Sequence, residues 1–189
     1  MSDRDRLADL LVERSVRLGD FVLASGARST YYVDCRTTTT HAEGQHLVGT
    51  LALGAIRGAG LAPDAVGGLT MGADPVAYAV AHASWHHGPA VHAFSVRKEP
   101  KAHGTGKRVE GSFKSGDSVV VIEDVVTTGD SALKACAAVE AEGGKVLAVL
   151  TLVEREPAGR AKIEAAGYPV ISLFKVGELL DRARAATSS

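Results

Sequence analysis

The chain has 189 residues, a length typical of one domain, and its 46% hydrophobic and 23% charged residues are those of an ordinary globular protein. Its net charge of −1 gives no overall field that would attract nucleic acid or an anionic membrane, so neither is expected as a partner. Two distant cysteines make no disulfide framework or zinc motif, and the charged N-terminus does not resemble a signal peptide. These features predict a cytoplasmic location.

The first predicted elements are an amphipathic helix over about 3–16 and a small hairpin with strands over 21–23 and 30–33. Thr40 and Glu43 have the spacing of a capping box, which predicts a helix that starts there and ends at 58–60.

Strands and helices then alternate. Asp74 is the predicted N-cap of the first helix in this region. Unbroken apolar strands between helices predict an α/β fold with a mostly parallel central sheet that is covered on both faces. Ligands bind at the carboxyl ends of such strands, so function is expected in the loops after residues 69, 96, 122 and 153. The predicted strands are 65–69, 91–96, 119–122, 146–153 and 170–174, and the predicted helices are 75–83, 131–142, 161–166 and one from about 178.

The most informative stretch is 119–131, where a buried strand is followed by two carboxylates and a loop of hydroxyls and glycine that enters a helix. Amides at a helix N-terminus suit a phosphate monoester, and Gly129 lets the backbone approach it. Glu123 and Asp124 can accept hydrogen bonds from vicinal sugar hydroxyls, so the stretch indicates a ribose 5-phosphate site. The simpler alternative is a capped helix with solvated carboxylates. The hydroxyl donors are Thr127, Thr128 and Ser131.

This stretch resembles the phosphoribosyl pyrophosphate (PRPP)-binding motif of the type I phosphoribosyltransferases. Within that family, 97–106 (RKEPKAHGTG) resembles the flexible catalytic loop of the orotate phosphoribosyltransferases, and 21–34 resembles their N-terminal segment. With 67–75, these matches follow in order from about residue 20 to 155. Two positions depart from the pattern, since Ala24 stands where many relatives have lysine and Glu154 where aspartate is usual.

A local charge excess coincides with the second of these matches. Six Lys and Arg and two Glu between Arg97 and Lys114 give this segment a net charge of +4 and leave −5 for the rest of the chain. On charge alone, a basic segment of this length is more often a solvated surface loop. Its position after a strand favours a lid with hinges at Gly104 and Gly106, which would bring cations to a departing diphosphate and exclude water.

The resemblance implies transfer of ribose 5-phosphate from PRPP to orotate, which gives orotidine 5′-monophosphate and diphosphate in the de novo synthesis of UMP. It also implies a homodimer with shared active sites, and Mg²⁺ held mainly by the substrate and not by protein ligands. The alternatives are a purine phosphoribosyltransferase and a regulator that binds PRPP without turnover. The implied plan is a single phosphoribosyltransferase domain over 1–189, with 1–40 contributing a hood and 98–116 a flexible catalytic loop.

The resemblance also assigns roles to individual residues, with Lys101 and Asp124 as the catalytic residues. Thr127 and Arg155 would bind orotate, although a surface Arg155 paired with Glu154 or Glu156 is an open alternative. The diphosphate loop would be Thr70, Met71, Gly72 and Ala73. The implied PRPP-binding residues are Arg97, Lys98, Lys101, His103, Glu123, Asp124, Val125, Val126, Thr127, Thr128, Gly129, Asp130 and Ser131.

Two histidines outside these motifs have the spacing of a helical metal-binding pair. His82 and His86 are four residues apart, but no third ligand accompanies them in the sequence. We therefore expect a partly exposed helix end there.

Overall fold

The structure is a computed structural model, and it describes residues 1–22, 26, 28–99 and 107–187. Seven helices and eight strands are formed by these residues. The helices are α1 (Asp3–Arg14), α2 (Arg36–Thr39), α3 (Ala42–Gly58), α4 (Ala73–His87), α5 (Asp130–Ala141), α6 (Pro157–Ala165) and α7 (Val176–Thr187). The strands are β1 (Val16–Val22), β2 (Arg28–Val33), β3 (Ala65–Leu69), β4 (His92–Val96), β5 (Val109–Gly111), β6 (Ser118–Val126), β7 (Lys145–Glu154) and β8 (Val170–Lys175).

The central sheet has six strands in the order β5-β4-β3-β6-β7-β8, and all neighbours are parallel except β5, which runs antiparallel to β4. The strands β1 and β2 form a separate antiparallel hairpin. This arrangement confirms the predicted α/β fold with a mostly parallel sheet. Because β3, β6 and β7 are parallel neighbours, the loops that follow them meet at one edge.

Both faces of the sheet are buried, which explains why its strands are apolar without interruption. Along β6, Val120 and Ile122 belong to one hydrophobic cluster together with residues of α1, α3, α4 and α7. The alternate residues Val119 and Val121 belong to a second cluster with residues of α5 and α6. Strand alternation thus sends successive side chains into two different cores.

Two predicted helix starts are wrong, each because a polar group finds a different partner. Thr40 does not cap α3, since its hydroxyl donates to the Arg36 carbonyl at 2.6 Å, while the Glu43 carboxylate pairs with Arg6 of α1. Asp74 is not an N-cap, because α4 already begins at Ala73 and Asp74 accepts a hydrogen bond of 2.6 Å from the Thr70 hydroxyl.

Strand β6 is longer than predicted and contains both carboxylates that were expected beyond its end. Pairing with β7 continues through Glu123 and Thr151 to Val126 and Glu154, which keeps this stretch extended. The segment predicted as a flexible loop over 98–116 contains β5, which pairs Val109 with Val96. The carboxylate of Glu142 accepts the Val109 amide at 3.0 Å and so fixes this strand to the end of α5.

Candidate active site

A cavity of about 370 Å³ lies at the carboxyl ends of β3, β6 and β7. Five segments form its walls: the end of the hairpin, the loop after β3, Lys98 after β4, the last residues of β6 with the loop and helix start that follow, and the residue after β7. Apart from the hairpin end and the longer β6, these are the loops in which the sequence predicted function.

The phosphate loop, Thr127 to Gly129, connects β6 to α5. Gly129 has a φ of +80°, a conformation that favours glycine. A Cβ at Gly159 would lie 2.2 Å from the Thr127 carbonyl oxygen, so only a glycine allows α6 to pack this closely on the loop. The loop and the first residues of α5 line a small cavity of about 120 Å³, where helix amides present positive partial charge. The geometry suits a phosphate group.

Asp130 is the one acidic residue in the first turn of α5, and it would oppose an anion if its charge were unbalanced. Lys162 of α6 places its ammonium nitrogen 2.6 Å from the Asp130 carboxylate, and hydrogen bonding to this lysine lowers the pKa of Asp130. Because Lys162 balances the charge of Asp130, the amides at the N-terminus of α5 are the local source of positive charge.

The carboxyl groups of Glu123 and Asp124 lie together in the cavity wall. Burial raises the pKa of Glu123 to about 8, and the charge of Asp124 adds to the effect. Burial also raises the pKa of Asp124, although its Oδ1 accepts the Val125 amide at 3.0 Å. The buried Glu123 Oε2 has no hydrogen-bond partner among the described residues. Such acceptors are suited to the vicinal hydroxyls of a sugar.

The loop after β3, residues Thr70 to Gly72, faces this carboxyl pair. A Cβ at Gly72 would lie 2.5 Å from Asp124 Oδ1, so the absence of a side chain allows the loop and the carboxylate to meet. The loop is held by the Thr70 amide, which donates to the Val96 carbonyl at 2.9 Å. Thr70, Met71 and Gly72 line the cavity, whereas Ala73 is buried in the first turn of α4.

Arg155 closes the cavity on the β7 side. Its amide donates to the Val126 carbonyl at 2.9 Å, and its guanidinium lies over the ring of Tyr31, 5.1 Å from the ring centre. The buried Nε has no hydrogen-bond partner within the described ranges. Glu154 is engaged elsewhere, at 3.0 Å from Arg160. The guanidinium is therefore directed into the site, where it can bind an anionic group.

Comparison with known proteins agrees with this geometry. A family model for the phosphoribosyl transferase domain matches residues 38–178. The orotate phosphoribosyltransferase of Aquifex aeolicus is 46% identical over 183 residues, which cover 95% of this chain and 99% of that protein. This chain belongs to the orotate phosphoribosyltransferase family.

Solved structures of the family superpose over nearly the whole chain. Orotate phosphoribosyltransferase of Mycobacterium tuberculosis in complex with Fe(III) dicitrate has a TM-score of 0.84 and 43% identity, covering 94% of this chain and 99% of that one. The same enzyme in complex with PRPP has a TM-score of 0.79 and 39% identity, with coverage of 94% and 99%. The resemblance and the type I phosphoribosyltransferase fold are thus confirmed.

The start of the family's basic loop is anchored to the sheet. The Arg97 amide donates to the Arg108 carbonyl at 2.9 Å, and the Arg108 guanidinium donates to the Lys98 carbonyl at 3.2 Å. Arg97 itself lies 3.3 Å from Glu110, while Lys98 lines the cavity. Two further predicted site residues, Lys101 and His103, lie outside the described residues, as does Ala24.

Sequence reasoning missed Asp34 and Arg36 as parts of the cavity wall. The Arg36 guanidinium donates to both oxygens of Asp34 at 2.8 Å each, and this holds the pKa of Asp34 below its usual range. The available signal was an acid and a base two residues apart at the end of a predicted strand. Only the fold brings that strand end next to Asp124.

Proposed function

We propose that the protein transfers ribose 5-phosphate from PRPP to orotate, forming orotidine 5′-monophosphate and diphosphate in pyrimidine nucleotide synthesis. One juxtaposition carries the proposal: an amide-lined phosphate loop, a pair of sugar-facing carboxyl groups and the guanidinium of Arg155 border one cavity. The first two suit ribose 5-phosphate, and the third suits the carboxylate of orotate, which a purine base lacks.

The reaction forms a bond from a ring nitrogen of orotate to the anomeric carbon while the bond from that carbon to diphosphate breaks, and the proton of that nitrogen passes to the leaving diphosphate or to water. Positive charge grows on the sugar and negative charge on the leaving group. Glu123 and Asp124 would hold the ribose hydroxyls, and the charge of Asp124 would stabilise the positive sugar. Lys98 and the amides from Thr70 to Ala73 would face the diphosphate, and the resemblance adds Arg97, Lys101 and His103 to that role.

We further propose that Mg²⁺ accompanies the diphosphate. The site fits such an ion, because the carboxyl oxygens of Glu123 and Asp124 are of the type that Mg²⁺ accepts, while the diphosphate, the ribose hydroxyls and water would supply most of its ligands. When bound, the ion would offset the negative charge of the diphosphate. Chelation by excess EDTA should abolish transfer and added Mg²⁺ should restore it. Full turnover in the presence of the chelator would contradict this part.

A homodimer with shared sites is also proposed, and an exposed apolar surface supports it. Met71, Tyr78 and Trp85 follow one another at intervals of seven residues and are 64%, 52% and 77% exposed. Tyr78 and Trp85 therefore lie about 20° apart around α4. Apolar surface of this kind marks an interaction site. Because Met71 also lines the cavity, a second copy seated on these residues would border the active site.

Mixing chains tests the shared site. Lys101→Ala and Asp124→Asn chains are each expected to be nearly inactive alone. If one active site draws these residues from two copies, mixed dimers regain activity. Activity no greater than the sum of the two parents, in a preparation shown to contain mixed dimers, would contradict shared sites.

The base preference separates the proposal from its alternatives. The protein is incubated with PRPP, Mg²⁺ and either orotate or a purine base, and loss of each base is followed. Consumption of orotate is expected. Consumption of adenine, guanine or hypoxanthine alone would indicate a purine enzyme, and binding of PRPP without consumption of any base would indicate a regulator.

A cytoplasmic location belongs to the same proposal. In the part of the chain that the structure describes, no helix is long and apolar enough to cross a membrane.

A further inference from the structure

A pair of histidines lies near the carboxyl end of α4, the opposite end of this helix from the diphosphate loop. His82 and His86 are four residues apart, so their side chains leave the same side of the helix. Their ring centres are 5.0 Å apart and the ring planes meet at 63°. Both side chains are exposed. Within the described chain no side chain or backbone group forms a hydrogen bond or ion pair with either ring.

The pair borders a groove of about 570 Å³ between α3 and α4. His46 of α3 stands on the opposite wall, and Gln45 and Thr50 line the same groove. The spacing of residues along the chain could not show this, because β3 and its loops lie between α3 and α4. In the described residues no group of three His, Cys, Asp or Glu side chains is arranged to hold a metal ion. A metal ion here would have two protein ligands and would complete its shell with water.

We propose that His82 and His86 form a binding site for a divalent ion of the late first-row transition metals, such as Zn²⁺, Ni²⁺ or Cu²⁺. Metal–nitrogen bonds of about 2.0–2.1 Å at a roughly tetrahedral angle place the centres of two imidazole rings about 5 Å apart. The separation of the ring centres is close to this value, so a turn of the imidazole rings about their side-chain bonds can direct one nitrogen of each ring to a shared ion. The absence of competing hydrogen bonds leaves the ring nitrogens available.

The chemistry of the ligands separates this site from the Mg²⁺ of the proposed reaction. Imidazole nitrogen binds Zn²⁺, Ni²⁺ and Cu²⁺, whereas Mg²⁺ prefers oxygen ligands and retains its water. The two sites also lie at opposite ends of α4, which is 15 residues long. An ion that bridges the last two turns would tie them together, and it would stabilise the folded protein in proportion to its concentration over its Kd.

The test is a titration of the full chain with NiCl₂ and ZnCl₂, with MgCl₂ as the comparison, followed by calorimetry and by thermal unfolding. Nickel and zinc are each expected to bind at this site with one ion per chain and to raise Tm. Magnesium is expected neither to bind at this site nor to raise Tm through it. His82→Ala and His86→Ala should each weaken binding by about tenfold or more, since a site of two ligands loses half of them. Tm measured without metal shows whether each variant is folded.

His87→Ala is the matched control. His87 lines the same groove, but its side chain leaves the helix about 100° away from that of His86 and the two ring centres are 6.5 Å apart, so its removal should leave Kd unchanged. Unchanged binding in both the His82 and His86 variants would overturn the proposal, as would a loss of binding confined to the His87 variant.

Discussion

Cavities lie at both ends of the parallel sheet, and the one at the amino end is larger than the candidate active site. The cavity at the amino ends of β3, β4 and β6 has a volume of about 550 Å³. At the carboxyl ends, the candidate active site has about 370 Å³, and a neighbouring cavity after β3 and β4, bordered by Tyr78 and Arg97, has about 600 Å³. The amino-end cavity and the candidate active site differ in whether their polar groups already have hydrogen-bond partners. This difference, and not the volume, identifies the active site.

At the amino end, polar groups are engaged in holding the fold. Arg57 donates to the carbonyls of His87 and Pro89 at 2.6 and 3.1 Å, which caps the end of α4. Asp64 accepts the Ser118 amide at 2.8 Å. At the carboxyl end, by contrast, the buried Glu123 Oε2 and Arg155 Nε have no partners among the described residues. Buried polar groups are costly without partners, so a substrate is the natural source of those bonds.

Neutralising one carboxylate in each cavity should give the largest difference in kcat between variants of the two ends. Asp124→Asn should lower kcat by roughly 10²–10³, as the loss of one preorganised electrostatic contact does in other enzymes. Its Tm should not fall, because burial already disfavours the charged form. Initial rates with orotate and PRPP, together with thermal unfolding, measure both effects.

Asp64→Asn is the control at the amino end. The asparagine oxygen can still accept the Ser118 amide, so kcat should stay within about twofold of the original value. Equal losses of kcat in the two variants would erase the distinction between the cavities.

The close approach of Gly72 to Asp124 gives the next largest expected effect. A methyl group at Gly72 would displace the carboxylate, and misplacement on this scale should lower kcat/KM by about 10- to 100-fold. Gly54→Ala provides the comparison, since a Cβ at this helical position in α3 meets open space. It should raise the free energy of unfolding by about 0.5–1 kcal/mol without changing kcat/KM. A normal kcat/KM for Gly72→Ala would argue against the contact.

Stability at alkaline pH tests the burial of Glu123. Its pKa is raised from 4.5 to about 8 in the folded protein, so the protonated form is favoured by folding. Below pH 4.5, the ordinary pKa of this carboxyl group, the stability that it contributes is fully present. That stability is lost as pH rises through about 8. Glu123→Gln should therefore be more stable than the original protein at pH 9, with little difference at pH 4. Thermal unfolding at both values measures this, and equal Tm curves would contradict it.

The smallest effect is expected at the amino end. Arg57→Ala removes two hydrogen bonds to the end of α4 and should lower the free energy of unfolding by about 1–2 kcal/mol. For a chain of this length each kcal/mol corresponds to roughly 2–4 °C in Tm. Turnover should be unchanged. A large loss of kcat in a folded Arg57 variant would show that this cavity takes part in the reaction.

The sequence was sufficient for features that depend on neighbouring residues. Unbroken apolar strands predicted a sheet buried on both faces, and the run from Val119 to Ser131 predicted a strand, a loop with a glycine and a helix start. The sequence was insufficient where a local conformation depends on a residue that is distant along the chain. The capping box failed because Arg6, 37 residues away, binds Glu43. The position of Arg155 depends on Tyr31, and such long-range pairs leave no periodic signal.

A crystal structure of the protein soaked with orotidine 5′-monophosphate tests most directly whether the carboxyl-end cavity is the site of orotate phosphoribosyl transfer. The phosphate should lie on the amides from Thr127 to Ser131, the ribose hydroxyls at Glu123 and Asp124, and the pyrimidine carboxylate at Arg155. Nucleotide bound in the amino-end cavity beside Arg57, with the carboxyl-end cavity empty, would contradict the account.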